Sequence, residues 1–322
     1  MSEQKAAPSG RRPSLLVRGL WTLLAIVAIG AAGFWIVTTP RTIPASALGP
    51  HTPNLDNGKT MFLAGDCSAC HAAPHQADPN RLGGGLALVS KFGTFYAPNI
   101  SSDPKDGIGG WTEAQFVTAM KDGVDDEGQH LYPIFPYASF QRMTPDDVRD
   151  LFAYLKTLPA VSGQPPEPKL KFPFNIRRLM GGWKLLFLDG KTFAPDPTKS
   201  AQWNRGAYLV NGPAHCAECH SPRNAFGAVP SDKRFSGQPN AYGVLGFPNI
   251  TQAGIGDWTD DAIAEMLRSG FTPDGDRVGG PMTEVVRSTS QLSDDDREAM
   301  AVYIKSLAPI ASAKPKAPAA TE

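Results

Sequence analysis

The stretches C-S-A-C-H at residues 67–71 and C-A-E-C-H at residues 216–220 decide the fold of this 322-residue chain. They contain all four cysteines of the sequence, and in both a histidine directly follows the second cysteine. Two identical spacings so far apart in one chain indicate that the same chemical site is made twice.

C-x-x-C-H is the motif that attaches haem c to a polypeptide. The two cysteines add across the two vinyl groups of haem as thioethers, and the two-residue gap matches the vinyl spacing. The histidine is then held against the iron as its proximal ligand. The sequence therefore predicts two covalent haem c groups. The cysteines predicted to hold them are Cys67, Cys70, Cys216 and Cys219, and the proximal histidines are His71 and His220.

Three other uses of paired cysteines compete with this interpretation. A disulfide framework is compatible with an oxidising compartment but leaves the paired histidines unexplained. A thioredoxin-like redox motif belongs in a βαβ setting, which the flanking sequence does not indicate. A four-cysteine zinc site would have to join pairs about 150 residues apart, far from the usual ribbon spacing.

The chain around the motifs is an internal repeat. Three further strings recur in the same order, and the offset between copies is 147–150 residues. The matched strings are Pro98-Asn99-Ile100 with Pro248-Asn249-Ile250, Gly107–Thr112 with Gly254–Thr259, and Ala153–Leu158 with Val302–Leu307. A period this long indicates two duplicated domains rather than a solenoid of short repeats.

Each repeat is predicted to contain a helix before the cysteine motif, a long loop, a middle helix and a closing helix. Thr112 and Thr259 are placed to cap the middle helices. Thr144 and Ser293 precede acidic residues and are placed to cap the closing helices. These patterns predict an all-α, loop-rich fold with two domains in tandem, 55–159 and 205–309, joined by a linker at 160–204 and followed by a disordered tail at 310–322.

Residues 19–37 carry no charge and are mostly apolar. As a helix they would span roughly 28 Å, close to the hydrocarbon thickness of a bilayer. The basic residues before this stretch place residues 1–18 in the cytoplasm under the positive-inside rule. We expect an uncleaved single-pass anchor in the inner membrane, a linker at 38–54 and haem domains in the periplasm. A cleaved signal peptide is the alternative, because Ala45-Ser46-Ala47 fits a cleavage site.

Haem iron can take a second axial ligand, and methionine is common in electron-transfer cytochromes. Met282 lies in a glycine-rich loop before the second closing helix, where a distal methionine belongs. Counted from the matched tryptophans, the place of Met282 in the first repeat holds Phe135. We predict Met143 as the distal ligand there, with His130 or an open iron as the alternatives.

Longer strings carry a family resemblance over about residues 55–309. They are F-G-T-F-Y-A-P-N-I at 92–100, H-L-Y-P-I-F-P-Y-A-S-F at 130–140, W-N-R-G-A-Y-L-V at 203–210 and G-P-M-T-E-V-V at 280–286. With them the chain resembles the diheme cytochromes c that serve as electron-transfer subunits of membrane-associated dehydrogenases. The resemblance implies two class I cytochrome c-like domains and methionine ligation in both. Some relatives have methionine within the Y-P-x-x-P-Y string, where this chain has Ile134 and Phe135.

The charge of the chain is balanced, with 31 Lys and Arg against 31 Asp and Glu. It lacks the basic surplus typical of nucleic-acid binding, so no nucleic-acid partner is expected. The resemblance implies a dehydrogenase as electron donor, a downstream cytochrome, oxidase or quinone as acceptor, and a membrane. We therefore expect electron transfer without substrate chemistry of its own. The alternatives are a diheme redox enzyme, such as a peroxidase with an open first iron, and a redox or gas sensor.

Overall fold

A computed structural model describes residues 14–239 and 246–312. The chain divides into two compact units, an N-terminal segment that ends at Thr39 and a body that begins at Pro40. Each unit is described by itself below. The predictions for residues 1–13 and 313–322, a cytoplasmic N-terminus and a disordered tail, lie outside the described residues.

The N-terminal segment is one helix, α1 (Leu15–Val37), capped by the side chain of Ser14. Within residues 14–239 and 246–312 it is the helix long and apolar enough to cross a membrane. The helix begins four residues before the uncharged stretch, which starts at Gly19, and its first turn therefore contains Arg18. The reason is that helix formation requires backbone hydrogen bonds and a cap, whereas the uncharged stretch marks only the part suited to hydrocarbon.

The body contains the two repeats, and their helices follow the same order. Those of the first repeat are α2 (Leu55–Ala64), α3 (Cys67–His71), α4 (Glu113–Asp122), α5 (Tyr137–Phe140) and α6 (Pro145–Leu155). A linker helix, α7 (Leu179–Phe187), comes next. Those of the second repeat are α8 (Ala201–Asn211), α9 (Gln252–Ile255), α10 (Asp260–Ser269), α11 (Pro281–Thr289) and α12 (Asp294–Lys305). A 3₁₀ turn, Cys216–Glu218, stands where α3 stands in the first repeat.

The predicted helix caps are confirmed in all four places. Thr112 begins α4 with a reciprocal capping box to Gln115, and Thr259 begins α10 by accepting from the backbone of Ala262. Thr144 and Ser293 cap the closing helices α6 and α12. Each cap satisfies a backbone N–H that the first turn of the helix leaves without a partner.

Within each repeat the first and closing helices cross in close contact, α2 with α6 and α8 with α12. A glycine lies at each crossing, because a Cβ at Gly58 would overlap the carbonyl oxygen of Asp150 and one at Gly206 would overlap that of Ala299. These close crossings join the beginning of each repeat to its end, and the two helices with their crossing are called the frame of the repeat below.

Short strands border the loops. β1 (Ala87–Ser90) and β2 (Gly93–Tyr96) form an antiparallel hairpin, and β3 (Lys169–Leu170) from the linker extends it. In the second repeat β4 (Gln238–Pro239) pairs with β5 (Gly246–Phe247). The linker is therefore attached to the first repeat by main-chain hydrogen bonds as well as by side chains.

The linker helix α7 packs through one side. Trp183 is buried against Tyr137 of the first repeat and Ala228 of the second, and its indole N–H donates to the carbonyl oxygen of Phe226 at 3.1 Å. Leu185 and Leu186 on the same helix are exposed. The junction between the repeats is thus filled by Trp183, with Phe187 and Leu188 packed beside it.

The segment that precedes α2 lies along the first repeat. The backbone N–H of Ile43 donates to Thr118 Oγ1 at 3.0 Å, and His51 Nε2 lies 2.7 Å from a carboxylate oxygen of Asp150. Arg149 donates to the carbonyl oxygen of Gly49 at 3.0 Å. The linker expected at residues 38–54 is therefore fixed to α4 and α6 from Ile43 onward.

The first residues of the segment expected to be a disordered tail contact a loop of the second repeat. Asn249 donates to the carbonyl oxygen of Ile310 at 2.7 Å and to Ser312 Oγ at 3.0 Å. An alanine- and proline-rich composition allows disorder, but a buried amide from a distant loop supplies the partners that hold these three residues in place.

We predict that Gly206→Ala lowers the free energy of unfolding by about 2 kcal/mol. Forcing a methyl group into a closed crossing costs about 1–3 kcal/mol, and this site is at the upper end because the obstacle is backbone. The better helix propensity of alanine returns only about 1 kcal/mol. Thermal unfolding followed by far-UV circular dichroism measures the change. Gly49→Ala, where a Cβ meets nothing within 4 Å, is the control, and equal stability of the two variants would contradict the prediction.

Candidate haem-binding sites

The two motif histidines are held in the same way. His71 Nδ1 lies 2.8 Å from the carbonyl oxygen of Pro98, and His220 Nδ1 lies 2.8 Å from that of Pro248. A carbonyl oxygen only accepts, so Nδ1 carries the proton and Nε2 keeps its lone pair. Burial lowers the pKa of both imidazoles, which favours the neutral form. A neutral histidine with Nδ1 fixed to a backbone carbonyl is the form that ligates a metal.

Sequence reasoning missed these carbonyls. The strings Pro-Asn-Ile at 98–100 and 248–250 marked the repeat, but nothing in them indicates a role toward a histidine about 27 residues away. The asparagines explain why the strings recur. Asn99 donates to the carbonyl oxygen of Val161 at 2.7 Å, and Asn249 holds Ile310 in the same way. Each asparagine thus ties its proline loop to the chain that follows the closing helix.

In each repeat, a glycine of the loop after the motif forms a backbone hydrogen bond with the motif histidine. The backbone N–H of Gly84 donates to the carbonyl oxygen of His71 at 2.7 Å, and that of Gly237 donates to His220 at 2.8 Å. Both glycines have positive φ, 72° and 84°, and a Cβ at either one would collide with the backbone that includes the neighbouring proline. The left-handed conformation and the close approach both require glycine at these positions.

The four cysteines are free thiols, of which Cys67, Cys216 and Cys219 are half-buried and Cys70 is exposed at the surface of the polypeptide. Burial raises the pKa of Cys67 and Cys216 to about 12 and that of Cys70 and Cys219 to about 11. A reactive redox C-x-x-C lowers the pKa of its thiol, so this environment differs from a thioredoxin-like site. Among the described residues no group of three or more His, Cys, Asp or Glu side chains is placed to hold a metal ion.

The cysteine pairs and the prepared histidines fit haem c. In each repeat two neutral thiols lie within one turn of a histidine whose Nε2 is available, and the surrounding core is apolar. Thioether formation consumes neutral thiols at the vinyl groups, and the imidazole supplies a nitrogen to iron. The residue types, their protonation and their spacing all agree with this group.

The two predicted distal methionines occupy different environments. Met282 is the second residue of α11, is partly buried and contacts the core. Met143 is fully buried within the core and directly precedes Thr144, the cap of α6. Leu292 holds the equivalent place before Ser293, the cap of α12.

The first repeat has an aromatic residue where the second has Met282, which the structure places in helix α11 rather than in the loop expected from the sequence. The isolated bridges Val124–His130 and Phe271–Arg277 align the two loops, and this alignment places Phe135 opposite Met282. His130, the alternative ligand, is buried, and Lys184 Nζ lies 3.0 Å from its Nδ1. That nitrogen already accepts a hydrogen bond and so has no lone pair left for iron.

A buried lysine fixes the chain on either side of Met143. Lys121 Nζ donates to the carbonyl oxygens of Gln141 and Met143, at 2.7 and 2.6 Å, and to Thr192 Oγ1 of the linker at 3.0 Å. Burial lowers the pKa of Lys121 to about 8. The sequence did not single out Lys121, because one lysine in an amphipathic helix looks like a solvated residue.

Comparison with known proteins gives a consistent set of relatives. The cytochrome c family model matches residues 55–159 and again residues 203–308. A diheme cytochrome c-type protein of Cereibacter sphaeroides is 47% identical over 292 residues, which are 89% of this chain and 97% of that protein.

Two other relatives are named as parts of dehydrogenases. The fructose dehydrogenase cytochrome subunit of Gluconobacter japonicus is 38% identical over 82% of this chain and 54% of its own length. A nicotinate dehydrogenase subunit of Pseudomonas putida is 36% identical over 94% of this chain and 26% of its own length. The chain thus spans about half of one of these relatives and about a quarter of the other.

The repeated motif, the matching treatment of its histidine in both copies and the double match to one family model lead to the same conclusion. The chain belongs to the cytochrome c family and consists of two tandem, mostly helical cytochrome c domains that carry two haem c groups.

Proposed function

We propose that this protein is a membrane-anchored electron carrier that passes electrons from a periplasmic or membrane dehydrogenase to the respiratory chain. The observation that carries the proposal is the pair of equivalent histidines, each fixed through Nδ1 to a proline carbonyl at 2.8 Å beside two cysteines. In both sites the orientation of the imidazole ring is fixed, and a fixed iron ligand is suited to repeated electron transfer.

The residues that hold the haems follow from the motifs. Cys67 and Cys70 attach the first haem and His71 binds its iron. Cys216, Cys219 and His220 do the same for the second. Met282 would bind the second iron and Met143 the first. The haem supplies a reversible one-electron couple, whose potential depends on axial ligands, burial and hydrogen bonding.

The protein itself contributes orientation and a low-polarity environment. The Pro98 and Pro248 carbonyls accept from the histidines, keep each ring in one orientation and increase the electron density at Nε2. Apolar core side chains around the motifs lower the local polarity, which would leave the charge on a bound iron less screened than in water.

Names of relatives support a dehydrogenase as electron donor, since several are cytochrome subunits of such enzymes. The acceptor we propose is a downstream cytochrome, an oxidase or a quinone. The 23-residue apolar helix α1 supports an uncleaved anchor in the inner membrane, with the domains on the periplasmic side.

A second function is favoured by one observation, the difference between the distal sides. Phe135 stands where the second repeat has Met282, and Met143 stands where it has the core residue Leu292. If Met143 serves only as core, the first iron has an open side and can bind a small oxidant. The chain would then be a peroxidase-like diheme redox enzyme.

We predict two covalent haems per chain. Thioether bonds survive denaturation, so the unfolded polypeptide should keep its haem stain and its mass should exceed that of the sequence by two haems. Replacing Cys67 and Cys70 together by alanine should leave one haem. Intact-mass spectrometry is the measurement, and a wild-type protein with one haem would reject the two-site assignment.

We predict that Met282→Leu abolishes the methionine–iron charge-transfer absorption of one haem and lowers its potential, because a thioether favours reduced iron. Met143→Leu should do the same to the other haem. Leucine matches the shape of methionine and is the residue found at position 292, so packing is little disturbed.

The Met143→Leu variant distinguishes the two functions. Near-infrared spectra and a spectroscopic redox titration are the measurements, with Met120→Leu as the control because Leu267 is its counterpart in the sequence. Unchanged spectra would assign Met143 to the core. Binding of cyanide or carbon monoxide to the wild-type first haem would then favour the enzyme.

We predict that the anchor is not cleaved. N-terminal sequencing of the membrane-extracted protein should recover residues ahead of Gly19, because α1 is longer than the apolar core of a signal peptide. A mature protein beginning near Leu48 would instead show cleavage after the Ala45-Ser46-Ala47 triplet.

A further inference from the structure

The linker between the repeats exposes a run of large apolar side chains. Phe172 is 80% exposed, and Leu186 on α7 is 70% exposed. Four more large apolar side chains of this stretch are exposed as well, and the six residues together are called the linker patch: Phe172, Phe174, Ile176, Leu179, Leu185 and Leu186. Single exposed apolar residues are common on proteins, whereas a group of this size on one short stretch marks a surface that binds something.

Contacts with neighbouring rings join the two halves of the linker patch. The ring of Phe174 packs at 4.6 Å against that of Phe92. A Cβ at Gly227 would lie 3.4 Å from the ring of Phe92, and the exposed ring of Phe226 lies 6.1 Å from that of Phe187 on α7. The exposed rings of the linker loop and the exposed leucines of α7 therefore border one continuous apolar surface.

The charge of this segment has one sign, although the charge of the whole chain is balanced. Residues 169–188 contain five lysines and arginines and no aspartate or glutamate. Lys169 and Lys171, directly ahead of the patch, are exposed. The exposed Glu167 precedes the segment, and Asp189 after it is paired with an arginine at 2.7 Å. An apolar surface with basic residues at its border complements an anionic partner.

The helix that carries part of the patch lies close to the point where the chain enters the body. Ile43, six residues after the end of α1, donates to Thr118 Oγ1 of α4 at 3.0 Å. Lys184 of α7 donates to the carbonyl oxygen of Gly123, the residue that ends α4, at 2.5 Å. Thr118 and Gly123 are five residues apart, which is about 7.5 Å along a helix axis. Within the body, the first fixed residue after the apolar helix and the linker helix are therefore attached to the same helix, α4.

We propose that the linker patch docks on the surface of an anionic phospholipid bilayer. Its apolar side chains lie among the upper parts of the acyl chains, and Lys169 and Lys171 lie at the headgroup phosphates. The inference rests on the proposed function, because it takes α1 as a membrane anchor. This second contact fixes how the two haem domains are turned toward the bilayer, which one helix and a short connection do not fix.

A bilayer is favoured over an acidic protein because the anchor keeps the bilayer within reach. The six steps of chain from Val37 to Ile43 span at most about 22 Å when fully extended, so a body attached to α1 stays near the membrane surface. Docking is then intramolecular, and a contact too weak to hold a free protein is still populated. Phenylalanine and leucine beside lysine are typical of segments that bind at the interface, and each lysine near an anionic leaflet strengthens association about fivefold.

The test uses the full-length protein with both haems in nanodiscs of two compositions, phosphatidylcholine alone and an equal mixture with phosphatidylglycerol. Hydrogen exchange measured by mass spectrometry should be slower over residues 169–188 in the mixture, because docking removes these backbone amides from water. Soret linear dichroism in oriented multilayers of the same lipids reports the tilt of the haems. The dichroism should be larger in the mixture, since docking selects one orientation of the body.

Three variants separate the apolar from the charged part of the contact. Phe172→Ser combined with Leu186→Ser should abolish the protection and lower the dichroism in the mixture. Lys169→Gln combined with Lys171→Gln should remove the difference between the two lipids. Phe271→Ser replaces an exposed phenylalanine of the second repeat and is the matched control, which should behave as the wild type. Haem content and thermal unfolding check that each variant is folded, and all five positions are exposed.

Equal exchange of residues 169–188 in the two lipids would overturn the inference, and so would an effect of Phe271→Ser as large as that of the patch variant. A segment that stays unprotected in both lipids would leave a protein partner as the occupant. These results would not affect the proposed electron carrier.

A protein that does not enter nanodiscs would reject the proposed anchor first. Co-sedimentation of that protein with vesicles of the same mixture then decides the inference. Binding by the wild type and loss of binding in the Phe172→Ser, Leu186→Ser variant would support it, and the absence of wild-type binding would overturn it.

Discussion

The hydrogen bond from each proximal histidine to a proline carbonyl is the constraint around which both domains are arranged. It joins the motif to a loop about 27 residues further along, and that loop is in turn tied by asparagine to the segment after the closing helix. The closing helix crosses the first helix at a glycine, and the first helix leads directly into the motif. These contacts form a continuous series that begins and ends at the histidine, so the orientation of its ring depends on all of them.

Duplication of this frame explains the arrangement of the body. Equivalent serines of the two repeats reach the opposite haem motifs, Ser139 at Glu218 between the cysteines and Ser288 at Asp66 ahead of them, and the linker helix fills the remaining junction with Trp183. The largest core cluster contains residues of both repeats, so neither repeat buries its apolar surface alone. The interface thus brings the two haem motifs together, in a chain whose relatives include cytochrome subunits of fructose and alcohol dehydrogenases.

The repeats are not equivalent on the distal side, and the structure sharpens this difference. The sequence already showed Phe135 opposite Met282 and offered Met143 in its place. In the fold, Met143 lies at the cap of α6 in the position of Leu292, enclosed by core side chains and followed by a backbone that Lys121 fixes. Haem chemistry is set by its axial ligands, so the two irons need not share one potential or one reactivity.

The sequence by itself determined the chemistry of the sites, the duplication and the helix caps. Those features depend on residues close together in the chain: the cysteine and histidine spacing spans five residues, and a cap spans four. The sequence determined the ends of the structural elements less closely. Helix α1 begins at Leu15, ahead of the uncharged stretch, and a distant asparagine holds Ile310 and Ser312. Only the tertiary structure decided which carbonyls hold the histidines and which faces of the repeats meet. Asp66 and Ser288 are 222 residues apart in the chain, and serine and aspartate are common surface residues with no local pattern that pairs them. Their contact exists because two copies of one frame pack together, and that packing depends on the whole surface of each copy.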